Sequence, residues 1–329
     1  MPPIWSGHPD YDTERDFIGY GEAGLDPKWP NGAKIAVSFV INYEEGGERS
    51  PQSGDGQSEP NLTENPGRGP RINERNYNVE SEYEYGSRAG FWRLFRLFNE
   101  HKMKFTLYAV AQAVEKNPDV VKRSVQEGHE VASHGYRWVD YHDFSIEKEK
   151  EYIRNAITSL KSLSGYAPKG WYYGRNSPHS RTLVPQTYEE MGESLVWMSD
   201  TYADDVPYWT DLPLERSSTS PKGLLMLPYS YDCNDFKFHT VGSGFADPGG
   251  FYTHLKNAFD VLFEEGQKGM PKMMTVGLHC RIVGRPGRFG ALKKFVEEIS
   301  GMEGVWVATR TEIAEHFKEQ FPYKKGMLA

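Results

Sequence analysis

Two adjacent carboxylates, Glu44 and Glu45, end an apolar run and are followed by Gly46 and Gly47. A carboxylate at a strand exit can take a proton from water or hold a metal that activates that water. The plainer reading of the pair is a solvated loop. Polar or titratable residues recur, however, at the ends of other apolar runs: Ser133 and His134, Tyr173 and Arg175, Asp200, Tyr231 and Asp232, and His279 with Arg281. Singly, each reads as a capping or loop residue. Together they put acids, bases and cations at one end of several strands, which is how a hydrolytic site is assembled in a parallel barrel.

Within that set Glu44 is the best base. His279, at the end of a run of bulky apolar residues, is the best acid, with a satisfied core histidine as its rival reading. Arg175 is expected to bond Glu44 and orient it. Tyr43, Tyr136, Trp138 and Trp209 could wall a flat small-molecule pocket, although aromatics at such positions are more often core. Asp200, with Asp204 and Asp205, could bond ring N–H groups or hold Arg175. Arg281, Arg285 and Arg288 could bind a carbonyl group or a neighbouring subunit. Ser87, in "GSRAG" (86–90), reads as the cap of a helix.

The elements that must position these groups are legible as eight short apolar runs, at 34–41, 104–110, 129–134, 169–173, 195–199, 224–230, 273–279 and 305–309. Between most of them lie stretches with apolar residues at three- and four-residue spacing, such as "IEKEKEYIRNAITSLKSLSG". Seven or eight such β/α units predict an α/β fold, a distorted (β/α) barrel with its site at the strand exits. The chain is expected to be a single catalytic domain over 1–329, with an N-terminal extension over about 1–33. One connection breaks the rhythm: residues 46–82 are rich in Gly, Pro, Ser and Asn and show no periodicity, as expected of a lid-like insertion.

Composition narrows the partners. The 329-residue chain carries a net charge of -8, and its Lys and Arg are dispersed. Neither nucleic acid nor an anionic membrane is therefore an expected partner. No run approaches the roughly 18 apolar residues of a membrane helix, and the first residues lack the apolar stretch of a signal peptide. A cytoplasmic protein is expected. Cys233 and Cys280 are too few for a disulfide framework and have no ligand spacing.

The order of these motifs resembles the polysaccharide deacetylase (NodB-homology, carbohydrate esterase) family from about residue 34 to 310. The counterparts of the family's motifs are "NYEEGG", "SHGYRW", "GWYYGRNSP", "SDTYADDVPYW" and "GLHCR". The resemblance implies a NodB-like barrel, a general base at Glu44, and metal ligands at Glu45 and His134. It also exposes departures. The family's paired aspartates are glutamates here, and Trp138 stands where a second metal histidine would follow His134 by four residues. His142, eight residues after His134, does not fit that spacing. Zinc needs three protein ligands and an open position, and Glu45 with His134 supply two.

The departures are similar to those of a subgroup, the polysaccharide-deacetylase-like allantoinases, which work without a bound metal. The matches are long: "FVINYEEGGER", "EYEYGSRAGFWRL", "GHEVASHGYRWVDY" and "VGLHCRIVGRPGR". This resemblance implies hydrolysis of an allantoin-type cyclic ureide with no cofactor; the last-loop arginines leave a homo-oligomer open. The alternative it leaves is a zinc-dependent de-N-acetylase of chitin or chito-oligosaccharides, as fungal members are often described. A third reading is an inactive carbohydrate-binding module on the same fold.

Overall fold

The computed structural model describes residues 9–64, 69–240, 244–245 and 247–326. All eight apolar runs form strands of one curled sheet: β1 (Ile35–Tyr43), β2 (Phe105–Ala109), β3 (Glu130–Ser133), β4 (Gly170–Trp171), β5 (Trp197–Met198), β7 (Leu224–Met226), β8 (Lys272–His279) and β9 (Val305–Val307). A short extra strand, β6 (Tyr208–Thr210), pairs antiparallel with β7 at the sheet's edge; every other pairing is parallel. The order is β6-β7-β5-β4-β3-β2-β1-β8, with β9 also on β1. The circle closes through the segment after β7, where Gly277 N–H donates to the Cys233 carbonyl and the Thr275 hydroxyl donates to that of Pro228. This is the expected distorted (β/α) barrel.

The helices lie outside. α1 (Tyr77–Tyr85) runs through a π-turn at Gly86–Gly90 into α2 (Phe91–Glu100); α3 (Ala111–Lys116), α4 (Asp119–Gln126), α5 (Ile146–Ser164), α6 (Ser180–Glu190), α7 (Pro248–Gln267), α8 (Pro286–Ile299) and α9 (Arg310–Gln320) follow. All nine residues of β1 are buried, as expected for a parallel strand covered on both faces. Its odd positions, Ile35 through Tyr43, join the core between sheet and helices, while Ala36 and Val40 join the core inside the barrel. In β8 the phase is reversed: Met273 faces inward, while Met274, Val276 and Leu278 face the helices.

Arg310 fills the barrel interior below the site. Its guanidinium donates to Ser199 Oγ, Thr275 Oγ1 and the carbonyls of Leu227 and Pro228 at 2.7–3.1 Å. A buried cation is tolerated only when its donors are satisfied in this way, and these bonds tie β5, β7 and β8 together. Among the described residues, no helix is long and apolar enough to cross a membrane.

Candidate active site

Strand alternation separates the two glutamates. Glu44 continues the inward phase of Ala36 and Val40, and its side chain lines a cavity of about 280 Å³ at the strand exits. Glu45 points the other way. One of its carboxylate oxygens accepts the Glu44 N–H at 2.9 Å, and the other lies 2.2 Å from where a Cβ on Gly86 would sit. A Cβ there would have to displace the Glu45 side chain, so glycine permits the close approach of the π-turn between α1 and α2 to Glu45. The same turn brings Gly90 so close to Cys280 that a Cβ would stand 1.9 Å from its carbonyl oxygen.

Glu44 is fully enclosed by cationic or donor groups. Its Oε1 lies 3.4 Å from His134 Nε2 and 3.5 Å from His279 Nε2, and its Oε2 forms a 2.7 Å ion pair with Arg281 Nη1. Burial pushes the Glu44 carboxyl up, but Arg281 and then His279 outweigh it and hold it well below the usual carboxylate range. Glu45 follows the opposite course: burial dominates, Arg281 only partly offsets it, Glu44 adds to it, and the carboxyl is raised to about 7.

His279 is held from behind by Asp235. The Asp235 carboxylate accepts from His279 Nδ1 at 2.6 Å and from the backbone N–H groups of His279 and Val283. Burial lowers the His279 pKa, but Asp235 and Glu44 more than compensate and raise it to about 9. The imidazole is thus a cation near neutrality, with Nε2–H directed at Glu44. His134 has the same orientation by another route: its Nδ1 donates to the Tyr172 carbonyl at 3.1 Å, leaving Nε2 to face Glu44.

Trp138 lies between two cations, with the Arg175 guanidinium 3.7 Å and that of Arg281 5.1 Å from its ring centroid. Arg281 also covers Tyr83 at 4.1 Å. Arg175 does not reach Glu44. It pairs with Glu59 at 3.6 Å, and Arg281 occupies the place at the base that Arg175 was expected to hold. Tyr172, Tyr229, Tyr231 and Asn42 complete the wall, and Asn61 and Leu62 reach it from the 46–82 segment.

Several expected site residues lie elsewhere. Tyr43 faces the helices, donating to Ser87 Oγ, so it is core rather than a pocket wall; Ser87 links it to Asn117 and caps no helix. Tyr136 packs on Tyr152 away from the cavity. Trp209 is on β6, bonded to the Phe321 carbonyl and packed on Tyr323. Asp200 accepts the N–H groups of Tyr173 and Gly174, shaping the turn that presents Arg175 instead of meeting a ring. Asp204 and Asp205 line a different cavity, His142 is exposed, Arg285 lies over Tyr85, and Arg288 pairs with Glu64. Asp235 was not anticipated; its signal was "YDCND" (231–235), in the segment that follows β7.

The donor set fits a catalytic metal poorly. One Glu44 oxygen is held by a guanidinium, Glu45 faces away and is raised toward neutrality, and Trp138 with its two flanking cations fills the position of a further ligand. A divalent ion would meet Arg281 at close range.

Comparison with known proteins agrees with the fold. Residues 75–192 match the polysaccharide deacetylase family. A candidate polysaccharide deacetylase of Schizosaccharomyces pombe is 48% identical over 321 residues, 95% of this chain and 99% of that protein. The crystal structure of PuuE allantoinase is 45% identical with a TM-score of 0.88, covering 95% of this chain and 100% of that one. A structure from Pseudomonas aeruginosa PAO1, titled a probable polysaccharide deacetylase, is 46% identical with a TM-score of 0.87, covering 94% and 99%. The barrel and these relatives together define a hydrolase of carbon–nitrogen bonds other than peptide bonds. The chain belongs to the polysaccharide deacetylase family.

Proposed function

We propose that the protein hydrolyses a ring amide of a cyclic ureide of the allantoin type, without a catalytic metal. The observation that carries this reading is the surroundings of Glu44: an anion set between two imidazoles and paired with Arg281, beside a tryptophan clamped by two guanidiniums. That is an arrangement for moving protons and stabilising anions, not for coordinating a cation. The 45% identity to PuuE allantoinase across nearly the whole chain supports the same reading.

In this scheme Glu44 accepts a proton as water attacks the ring carbonyl. Arg281 weakens Glu44 as a base, so proton removal accompanies attack instead of preceding it. The C–O bond forms and the carbonyl oxygen becomes an oxyanion. The ring C–N bond then breaks as His279 Nε2–H delivers its proton to the departing nitrogen. A nitrogen between two carbonyls leaves with its charge delocalised, which lessens the demand for a Lewis acid. A cavity of about 280 Å³ suits one small ring better than a polymer groove. The 46–82 segment acts as its lid through Asn61, Leu62 and the Glu59–Arg175 pair, in a cytoplasmic enzyme with both cysteines reduced.

The test is turnover of allantoin beside chitotetraose, in the unaltered chain and in Glu44→Gln. Allantoin hydrolysis that falls about 10²–10⁴-fold in a folded Glu44→Gln variant is expected. Deacetylation of chitotetraose with no action on allantoin would overturn the substrate assignment. Full allantoin turnover by Glu44→Gln would move the base elsewhere.

A further inference from the structure

We propose that Asp232, Cys233 and His254 form a binding site for a divalent transition-metal ion of the zinc class, separate from the catalytic pocket. The carboxylate, thiol and imidazole ligand atoms lie within 4.8 Å of one another. Asp232 and Cys233 come from the segment that closes the barrel after β7, and His254 comes from the second turn of α7. The three side chains share a cavity of about 500 Å³ outside the barrel, into which Asp204 and Asp205 also face, so its potential favours a cation.

A second observation points to a ligand. His254 Nε2 is itself shut off from solvent, in a side chain 34% exposed, and is held 3.1 Å from Asp232 Oδ1 as an ion pair. The ring nitrogen is thus directed at a carboxylate and a thiol, a convergence of three donors that a single cation can bridge. One O, one N and one S donor with an open fourth position suit zinc or cobalt, not magnesium or calcium. Lys237, 2.9 Å from Asp232 Oδ1, is the competing cation and must give way. Binding replaces the Cys233 S–H bond by an S–metal bond and releases that proton to solvent; no oxidation or reduction is involved.

The site shares no residue with the group around Glu44, but Asn234 and Asp235 follow Cys233 directly and face the catalytic pocket or hold His279. Metal found in the purified protein would therefore not by itself identify a catalytic metal.

Cobalt(II) titration of the full chain beside Cys233→Ser separates the two locations, because thiolate ligation produces a near-ultraviolet charge-transfer band and the thiol of this cluster is Cys233, whereas the thiol near Glu44 is Cys280. The band should saturate at a single equivalent, be displaced by zinc, disappear in Cys233→Ser, and need on the order of tenfold more cobalt in His254→Gln and Asp232→Asn. It should be unchanged in Glu44→Gln. Asp232 is exposed, so Asp232→Asn remains informative if the cysteine variant fails to fold. Absence of the band, its persistence in Cys233→Ser, or unaltered affinity in both other variants overturns the proposal.

Discussion

Arg281 Nη1 stands 2.7 Å from Glu44 Oε2, both side chains buried, so the candidate base is held as an anion by a cation the same barrel encloses. Because its folded-state pKa is depressed, Glu44 contributes stability above the ordinary glutamate value, and this is lost as pH falls through the depressed value. Replacing Arg281 by Gln removes the nearest cation from a buried charge and should cost up to about 3–5 kcal/mol in a denaturant titration, with His279 left to offset part of the loss. The acid limb of the pH–rate profile should move upward, because Glu44 then holds its proton to higher pH. An unmoved acid limb would show that another group sets it.

Asp235 acts through His279. The raised pKa of about 9 means that the imidazolium's stabilising contribution is complete below about 6.5, its ordinary value, and is lost as pH rises through about 9. As the proton donor, His279 should fail over the same range, giving the rate profile a basic limb near 9. Asp235→Asn should shift that limb toward neutrality and lower the His279 titration followed by NMR. Loss of activity with the limb in place would mean that Asp235 serves structure alone.

The glycines of the π-turn make a prediction about stability. A Cβ on Gly90 would meet the backbone carbonyl of Cys280, which cannot rotate away as a side chain can. Gly90→Ala should destabilise the chain by about 1–3 kcal/mol or more, and it should reduce activity by displacing the segment that carries His279 and Arg281. A variant with unchanged thermal unfolding would show that the two segments separate easily.

The eight strands were legible because each is an apolar run, buried along most of its length except in the half-buried β9, and β6 was not, because "YWT" is short and lies at an edge. Glu44, His279 and His134 were legible as strand-exit residues. Their division of labour was present in the period-two alternation, which turns Glu44 inward and Glu45 outward, but a residue-by-residue reading of the pair does not use it. Arg175 and Arg281 were interchangeable in sequence: the path of the 46–82 segment brings Glu59 to Arg175, while the pairing of β1 with β8 brings Arg281 to Glu44. The described residues of that segment are also less loose than its composition implied. Asp55 is bonded to Arg137 at 2.6 and 2.9 Å, Glu48 and Glu59 are buried, and α1 begins within the segment at Tyr77. Polar residues can hold a lid down when their partners are buried, and no hydropathy pattern records that.

The most direct test of metal-independent ureide hydrolysis is the allantoin turnover of the full chain after exhaustive chelation, repeated with zinc added back. Because the base, the acid and their partners are all side chains of this chain, turnover should be the same before chelation, after it, and after zinc. Loss of turnover on chelation, restored by zinc in the unaltered chain and also in Cys233→Ser, would contradict the account and place a catalytic metal beside Glu44.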